Sequence, residues 1–233
     1  MGRRLKHREI LDLSKRKLKL AYEIKYSVIS MIIFVVMGSF IYFLSTKELT
    51  QIYYNINEKS IFYLILSFFI IHQFHDLYFY WTHRWMHEVQ QLKRIHNIHH
   101  GVTTPTPLAA YTFHPIEALI HTGFWFIVSF SMPISVHVLF IFFIFQTYIN
   151  MWGHCCYEFW TVNLLDRWPW KALNTPTHHV LHHKYNKLNY GIYYNFWDKL
   201  CKTNHPKYRE EYEAIKRKTL TSRQSKLLKI FKL

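Results

Sequence analysis

Nine histidines fall into four short groups: His83-Thr-Arg-Trp-Met-His87, His96-Asn-Ile-His99-His100, His154, and His179-Val-Leu-His182-His183. The first is H-x3-H, and the second and fourth are both H-x2-H-H. Residues three and four apart on a helix share a face. This spacing lets each group aim two or three imidazoles at one point, as a metal site requires. Imidazole ligates zinc, copper, iron and nickel. Nine imidazoles exceed the needs of one ion, since a structural zinc is filled by four ligands. Two metals are the economical reading. A wet surface rich in histidine accounts for one such group but hardly for two copies of H-x2-H-H.

The elements that must hold these groups are apolar. Half of the 233 residues are hydrophobic and 19% are aromatic, yet the formal net charge is +15. That combination suits a membrane protein with basic edges, and the apolar runs exclude a nucleic-acid binder. Tyr26 to Ser45 carries no charge in twenty residues, and about 20 helical residues cross a hydrocarbon core of about 30 Å. Ile61 to about Trp81 is a second span, interrupted by His72, His75 and Asp76, and ionisable groups at that depth face a bundle interior or a site. Asp76 lies two helical turns before His83. Residues 82–117 are polar and broken by Pro105, Pro107 and Pro115. Ala118–Met132 and Ile134–Met151 follow on either side of Pro133, as two spans or as a re-entrant hairpin. The expected fold is all-α: an integral membrane helical bundle of about four hydrophobic segments, with a cytoplasmic helical cap over the histidines.

The tails are basic. Residues 1–25 hold nine Lys/Arg against three acids, and residues 201–233 hold ten Lys/Arg. They divide the chain into a tail 1–25, one membrane domain 26–205 and a tail 206–233. The first tail reads either as an amphipathic helix on anionic lipid headgroups or as a solvated helix. Basic segments stay cytoplasmic, and an even number of crossings then places both termini and all four histidine groups on that face. No signal peptide is visible at the N-terminus. Three cysteines without a C-x-x-C fit a reducing compartment. Neither G-x-G-x-x-G nor G-x-x-x-x-G-K-[ST] occurs, so no nucleotide loop is visible; H-E-x-x-H, the zinc hydrolase signature, is also missing.

Several segments carry a resemblance. They are Asp76-Leu-Tyr-Phe-Tyr-Trp-Thr-His83-Arg-Trp-Met-His87, Lys93-Arg-Ile-His96-Asn-Ile-His99-His100 and Pro105-Thr-Pro-Leu-Ala-Ala-Tyr-Thr-Phe-His114-Pro-Ile-Glu117. With them go His178-His179-Val-Leu-His182-His183, Asn189-Tyr190-Gly191 and Trp197-Asp198-Lys199-Leu200. In order and spacing, over about residues 60–205, the chain resembles the fatty acid hydroxylase/sterol desaturase superfamily of membrane di-iron oxygenases. The Pro-Thr-Pro and His-Pro-x-Glu segment looks like the sterol C5-desaturase branch, and Leu173-Asn-Thr-Pro-Thr-His178-His179 looks like the alkylglycerol monooxygenase branch.

The resemblance implies that His83, His87, His96, His99, His100, His154, His179, His182 and His183 ligate two iron ions, with zinc as a substitute. One family pattern has a histidine where this chain has Glu158, which is then a ligand, an outer acceptor or uninvolved. His178 belongs outside the ligand set, and Asp76, Glu117 and Asp198 are candidates to receive the ligands' other N–H. The implied reaction is O2-dependent attack on a C–H bond of a membrane lipid, by hydroxylation or desaturation. Its electrons come from an external reductase, cytochrome or ferredoxin. The competing reading is a histidine-rich membrane metal store or transporter, which would place its ligands near the bilayer midplane.

Overall fold

The computed structural model describes residues 5–13, 19–160 and 167–230. Two long helices come first, α1 (Leu20–Thr46) and α2 (Ile61–Glu88). A short helix α3 (Gln90–His100) follows, then a hairpin of α4 (Pro115–Ser131) and α5 (Val136–Gly153). The chain ends in α6 (Pro176–Tyr185), α7 (Phe196–Leu200) and α8 (Tyr208–Ile230). Helix starts follow local chemistry. Ser60 and Ser135 accept from the backbone N–H of Tyr63 and His137, and Pro115 and Pro176 stand in the first turns of α4 and α6.

Three helices, α1, α2 and α5, are long and apolar enough to cross a membrane. The chain is a membrane protein. α1 begins at Leu20 rather than Tyr26, and it turns Val28, Ile32, Val35 and Phe40 outward. Such exposure has its natural partner in lipid. α2 runs seven residues past the expected end at Trp81. Its 28 residues make about 42 Å, well beyond a hydrocarbon core of about 30 Å. That excess length allows the last two turns, which carry His83 and His87, to stand clear of the apolar layer.

The tip of α4–α5 bears on the alternative between two spans and a shallow hairpin, and favours two spans. Ile134 and Ser135 pair in parallel with Ile52 and Tyr53 of the α1–α2 loop. Gln51 donates its N–H to Ser129 O at 2.7 Å and accepts from Ile134 N at 3.0 Å. Tyr63 Oη donates to Pro133 O at 2.6 Å. The tip of the second hairpin thus lies level with the far ends of α1 and α2. Phe124, Val128, Ile134, Val138 and Phe142 pack there against Leu64 and Ile71.

Of the basic N-terminal tail, residues 1–4 and 14–18 lie outside the described residues. The described part folds back along the chain after α5: Ile10 N donates to Cys156 O at 3.0 Å, and Glu158 N donates to Arg8 O at 2.9 Å.

The four-crossing topology has a direct check. In a chain with Cys155, Cys156 and Cys201 replaced by serine, single cysteines at Asn57 and Ser131 should react from one side of sealed vesicles. A cysteine at Lys187 should react from the other. Labelling of positions 131 and 187 from the same side would restore the re-entrant hairpin.

Candidate metal centre

The nine histidines meet at the end of the bundle where α2 emerges. They form two groups, His83/His87/His96/His100/His182 and His99/His154/His179/His183, and within each the nearest ring nitrogens lie within 4.8 Å of one another. The partition differs from the one the spacing suggests. The i,i+4 pairs His83/His87, His96/His100 and His179/His183 each stay together. The third member of each H-x2-H-H crosses over: His99 of α3 joins the second group and His182 of α6 joins the first. A residue three positions on is rotated about 60° from the first member of the i,i+4 pair and about 100° from the second, so α3 and α6 each serve both groups.

Tautomers are fixed from outside. His83 Nδ1 donates to Tyr190 O at 2.8 Å, His182 Nδ1 to Leu188 O at 2.7 Å and His154 Nδ1 to Asn150 O at 2.7 Å. A carbonyl only accepts, so the ring must supply the proton. His96 Nδ1 meets Glu117 Oε1 at 2.7 Å. A neutral imidazole carries one N–H, so the Nε2 atoms of these four are bare lone pairs. Yet His100 Nε2 lies 3.0 Å from both His96 Nε2 and His182 Nε2, and 3.2 Å from His87 Nε2. Around His154 Nε2, those of His179, His183 and His99 lie at 3.0, 3.2 and 3.3 Å. One proton on His100 can serve only one of its three neighbours. A cation at the centre of each group satisfies all of them. Metal–nitrogen bonds of about 2.1 Å put neighbouring nitrogens of an octahedral shell about 3.0 Å apart. Either group could hold a metal ion.

The carbonyls that fix His83 and His182 sit on one loop, residues 188–194. Leu188 has φ 65° and Asn189 φ 57°, left-handed values that cost a residue such as leucine about 1–3 kcal/mol. Two buried carboxylates pin the loop. Asp198 accepts from Tyr190 N, Gly191 N and Thr203 Oγ1 at 2.8–2.9 Å. Asp76 accepts from Tyr193 N and Tyr194 N at 3.1 and 3.4 Å. A Cβ on Gly191 would stand 2.5 Å from Tyr194 O, which explains the glycine after Tyr190. Asp76 and Asp198 therefore bear on the histidines one step removed, through Tyr190 O and Leu188 O. Glu117 is the candidate carboxylate that touches one of the nine directly.

Glu158 lies in neither group. Its carboxylate accepts from Thr177 N, Thr177 Oγ1 and Trp160 N and so holds the start of α6. His178 is buried, with Nε2 3.5 Å from Asp198 Oδ2 and its ring against Tyr208. Burial pushes the Asp198 carboxyl up, but His178 and the loop donors hold it below its ordinary value.

A cavity of about 320 Å³ lies between α1, α2, α4 and α5, walled by Phe34, Met37, Trp125, Leu139 and Phe143. Phe79, Phe113, His121 and Asn150 line it, and the same four line the gap beside His83, His96, His99, His154 and His179. The membrane cavity thus ends at the histidines. Sequence reasoning did not single out Phe113 or Asn150. Nor did it find the carbonyls of Asn150, Leu188 and Tyr190, because a backbone acceptor leaves no mark on residue type.

Fold and site together define a helical membrane protein with two histidine centres at the aqueous end of an intramembrane cavity. The fatty acid hydroxylase family model matches residues 68–203, more than half of the chain and all nine histidines. The chain belongs to that family. It is 31% identical over 156 residues to a Delta(7)-sterol 5(6)-desaturase of Gibberella zeae, covering 63% of this chain and 45% of the relative. To a counterpart in Aspergillus fumigatus it is 30% identical over 164 residues, 64% of this chain and 51% of the relative. To lathosterol oxidase of Homo sapiens it is 26% identical over 204 residues, 84% and 63%. The chain spans about half to three fifths of the length of these relatives. No solved structure matches it significantly.

Burial disfavours the imidazolium form. It lowers His96 to about 3 and, against the opposing bond to Asn150, His154 to about 4. Burial first and neighbouring histidines second hold His99, His100, His179, His182 and His183 well below the ordinary value of 6.5. The unfolded chain takes up protons below 6.5 and the folded metal-free site does not. Stability is therefore full above 6.5 and falls with pH down to about 4 for His154 and about 3 for His96, at about 1.4 kcal/mol per pH unit for each histidine. The denaturation midpoint of metal-free protein should drop sharply between pH 7 and pH 5; a flat profile would contradict this protonation state. Glu117→Gln should weaken metal binding at the five-histidine group at least about tenfold, read by chelator competition, with the four-histidine group unchanged.

Proposed function

We propose that this chain is an O2-dependent oxidoreductase that attacks a C–H bond of a membrane lipid at two irons held by the nine histidines. The observation that carries the reading is the cavity between the long helices, lined mainly by apolar side chains and ending against both histidine groups. The names of the relatives, sterol desaturases and a lathosterol oxidase, support a lipid as substrate. Hydroxylation and desaturation share the first hydrogen abstraction, and the reading covers both.

An alkyl C–H bond offers no polar handle, so a redox-active metal supplies the O2 activation that acid–base groups cannot. His83, His87, His96, His100 and His182 would hold one ion, and His99, His154, His179 and His183 the other. All-nitrogen ligation suits iron, and also zinc, which has no redox chemistry. The protein's own part is positioning. Phe79 and Phe113 narrow the passage between cavity and histidines, and the apolar walls keep water from the reacting carbon. Glu117, Tyr190 O, Leu188 O and Asn150 O keep four rings turned with Nε2 inward. The basic tails support a cytoplasmic location for the histidine face, where an external donor would deliver electrons. A transporter is disfavoured because its ligands belong near the midplane, and these lie beyond the apolar part of α2.

Lipid mass spectrometry of cells carrying the wild type, His99→Ala or Gly38→Phe tests the proposal. A side chain at Gly38 meets no neighbouring atom within 4 Å, so phenylalanine should grow into the cavity. One lipid should gain an oxygen or lose two hydrogens with the wild type alone, and the Gly38 variant should retain its metal. Identical lipids in all three, with each protein accumulating, would sink the proposal.

A further inference from the structure

Away from the histidines, a cleft of about 540 Å³ opens between α7, α8 and the segment before α6. Its lining includes Lys171, Lys199, Arg209, Asn195, Asn204 and Glu213. Among the described lining residues Lys171 and Lys199 stand with Arg209 against one carboxylate, and Glu213 is already engaged by Lys216 at 3.5 Å. The cleft is therefore electropositive, and burial first, then the nearby charge of Lys171, hold the Lys199 ammonium below its ordinary value. It also offers acceptors. Asn195 is only 3% exposed, and its Nδ2 donates to Lys171 O at 3.0 Å. That bond fixes the amide's orientation and leaves Oδ1 buried without a partner, as is Asn204 Oδ1. A buried acceptor without a donor costs about 1–3 kcal/mol, so a ligand that brings both negative charge and hydroxyl donors matches the cleft.

The surroundings point to the membrane surface. Phe196 and Leu200, 56% and 63% exposed, lie four residues apart on one face of α7, and Trp168 and Trp170 are 79% and 42% exposed beside Lys171. The loop just before α7 is tied to Asp76, which lies about 10 Å along α2 from His83 toward the bilayer. Exposed tryptophan, phenylalanine and leucine flanking lysines are the pattern of a segment seated at the headgroup layer. We propose that this cleft binds the headgroup of an anionic, hydroxyl-bearing phospholipid, with its phosphate on Lys171 and Lys199 and its hydroxyls on Asn195 and Asn204. Phe196, Leu200 and Trp168 then dip into the acyl layer beneath it. This site does not depend on the oxidase reading.

Native mass spectrometry of the full chain in detergent tests it, with phosphatidylglycerol, phosphatidylinositol, phosphatidic acid or phosphatidylcholine added singly. The two hydroxylated anionic lipids should be retained in preference to the other two. Lys171→Ala with Lys199→Ala should weaken their retention about thirtyfold, as loss of two interfacial cations implies. Asn204→Ala should bring them to the level of phosphatidic acid, while Lys47→Ala with Lys59→Ala on the opposite loop changes nothing. Thermal unfolding of each variant separates loss of the site from loss of the fold. Equal retention of all four lipids, unchanged preference in the stably folded lysine variant, or displacement by inorganic phosphate at concentrations as low as the lipid would overturn the proposal.

Discussion

Imidazole Nε2 atoms facing one another at about 3 Å, four of them bare because their Nδ1–H is committed elsewhere, are the condition around which this protein is built. Left to themselves, such rings would rotate, protonate or separate. They are held because their Nδ1–H groups are committed elsewhere, to Tyr190 O, Leu188 O, Asn150 O and Glu117. The commitments extend outward. Two carboxylates fix the 188–194 loop, one on α2 and one on α7, and the loop tolerates left-handed backbone at Leu188 to present its carbonyl. A cation at each centre would satisfy this arrangement, and burial disfavours the charged form of the rings.

The membrane supplies the second constraint. α2 is longer than the hydrocarbon is thick, so one helix both lines the apolar cavity and carries two histidines beyond it. The α4–α5 hairpin reaches the outer loop and closes the cavity's other wall. Asn150 joins the two functions, since it faces the cavity while its carbonyl fixes His154. The cavity among the long helices meets the gap beside the histidines end-on, at Phe79, Phe113, His121 and Asn150.

Much of this was legible in the residues. Helical spacing makes H-x3-H and H-x2-H-H visible as convergent groups, and apolar run lengths give the helices. The division into five and four was not. His99 and His100 are neighbours in sequence and belong to different centres, because one residue turns a helix by about 100° and only packing decides what each direction meets. The roles of Asp76 and Asp198 were likewise hidden, since their partners are backbone N–H groups of a loop that sequence does not locate. The depth of the second hairpin rested on pairing between residues eighty apart. Glu158 looked chemical because it stands near His154, yet its carboxylate serves the start of α6.

Metal content speaks most directly to the central claim. Protein purified from iron-supplied cells, measured by elemental mass spectrometry with X-ray absorption at the iron edge, should carry two irons per chain in a nitrogen-rich shell. Fewer than two metals per chain, or an iron shell dominated by oxygen or sulfur, would contradict the account of nine histidines forming two centres.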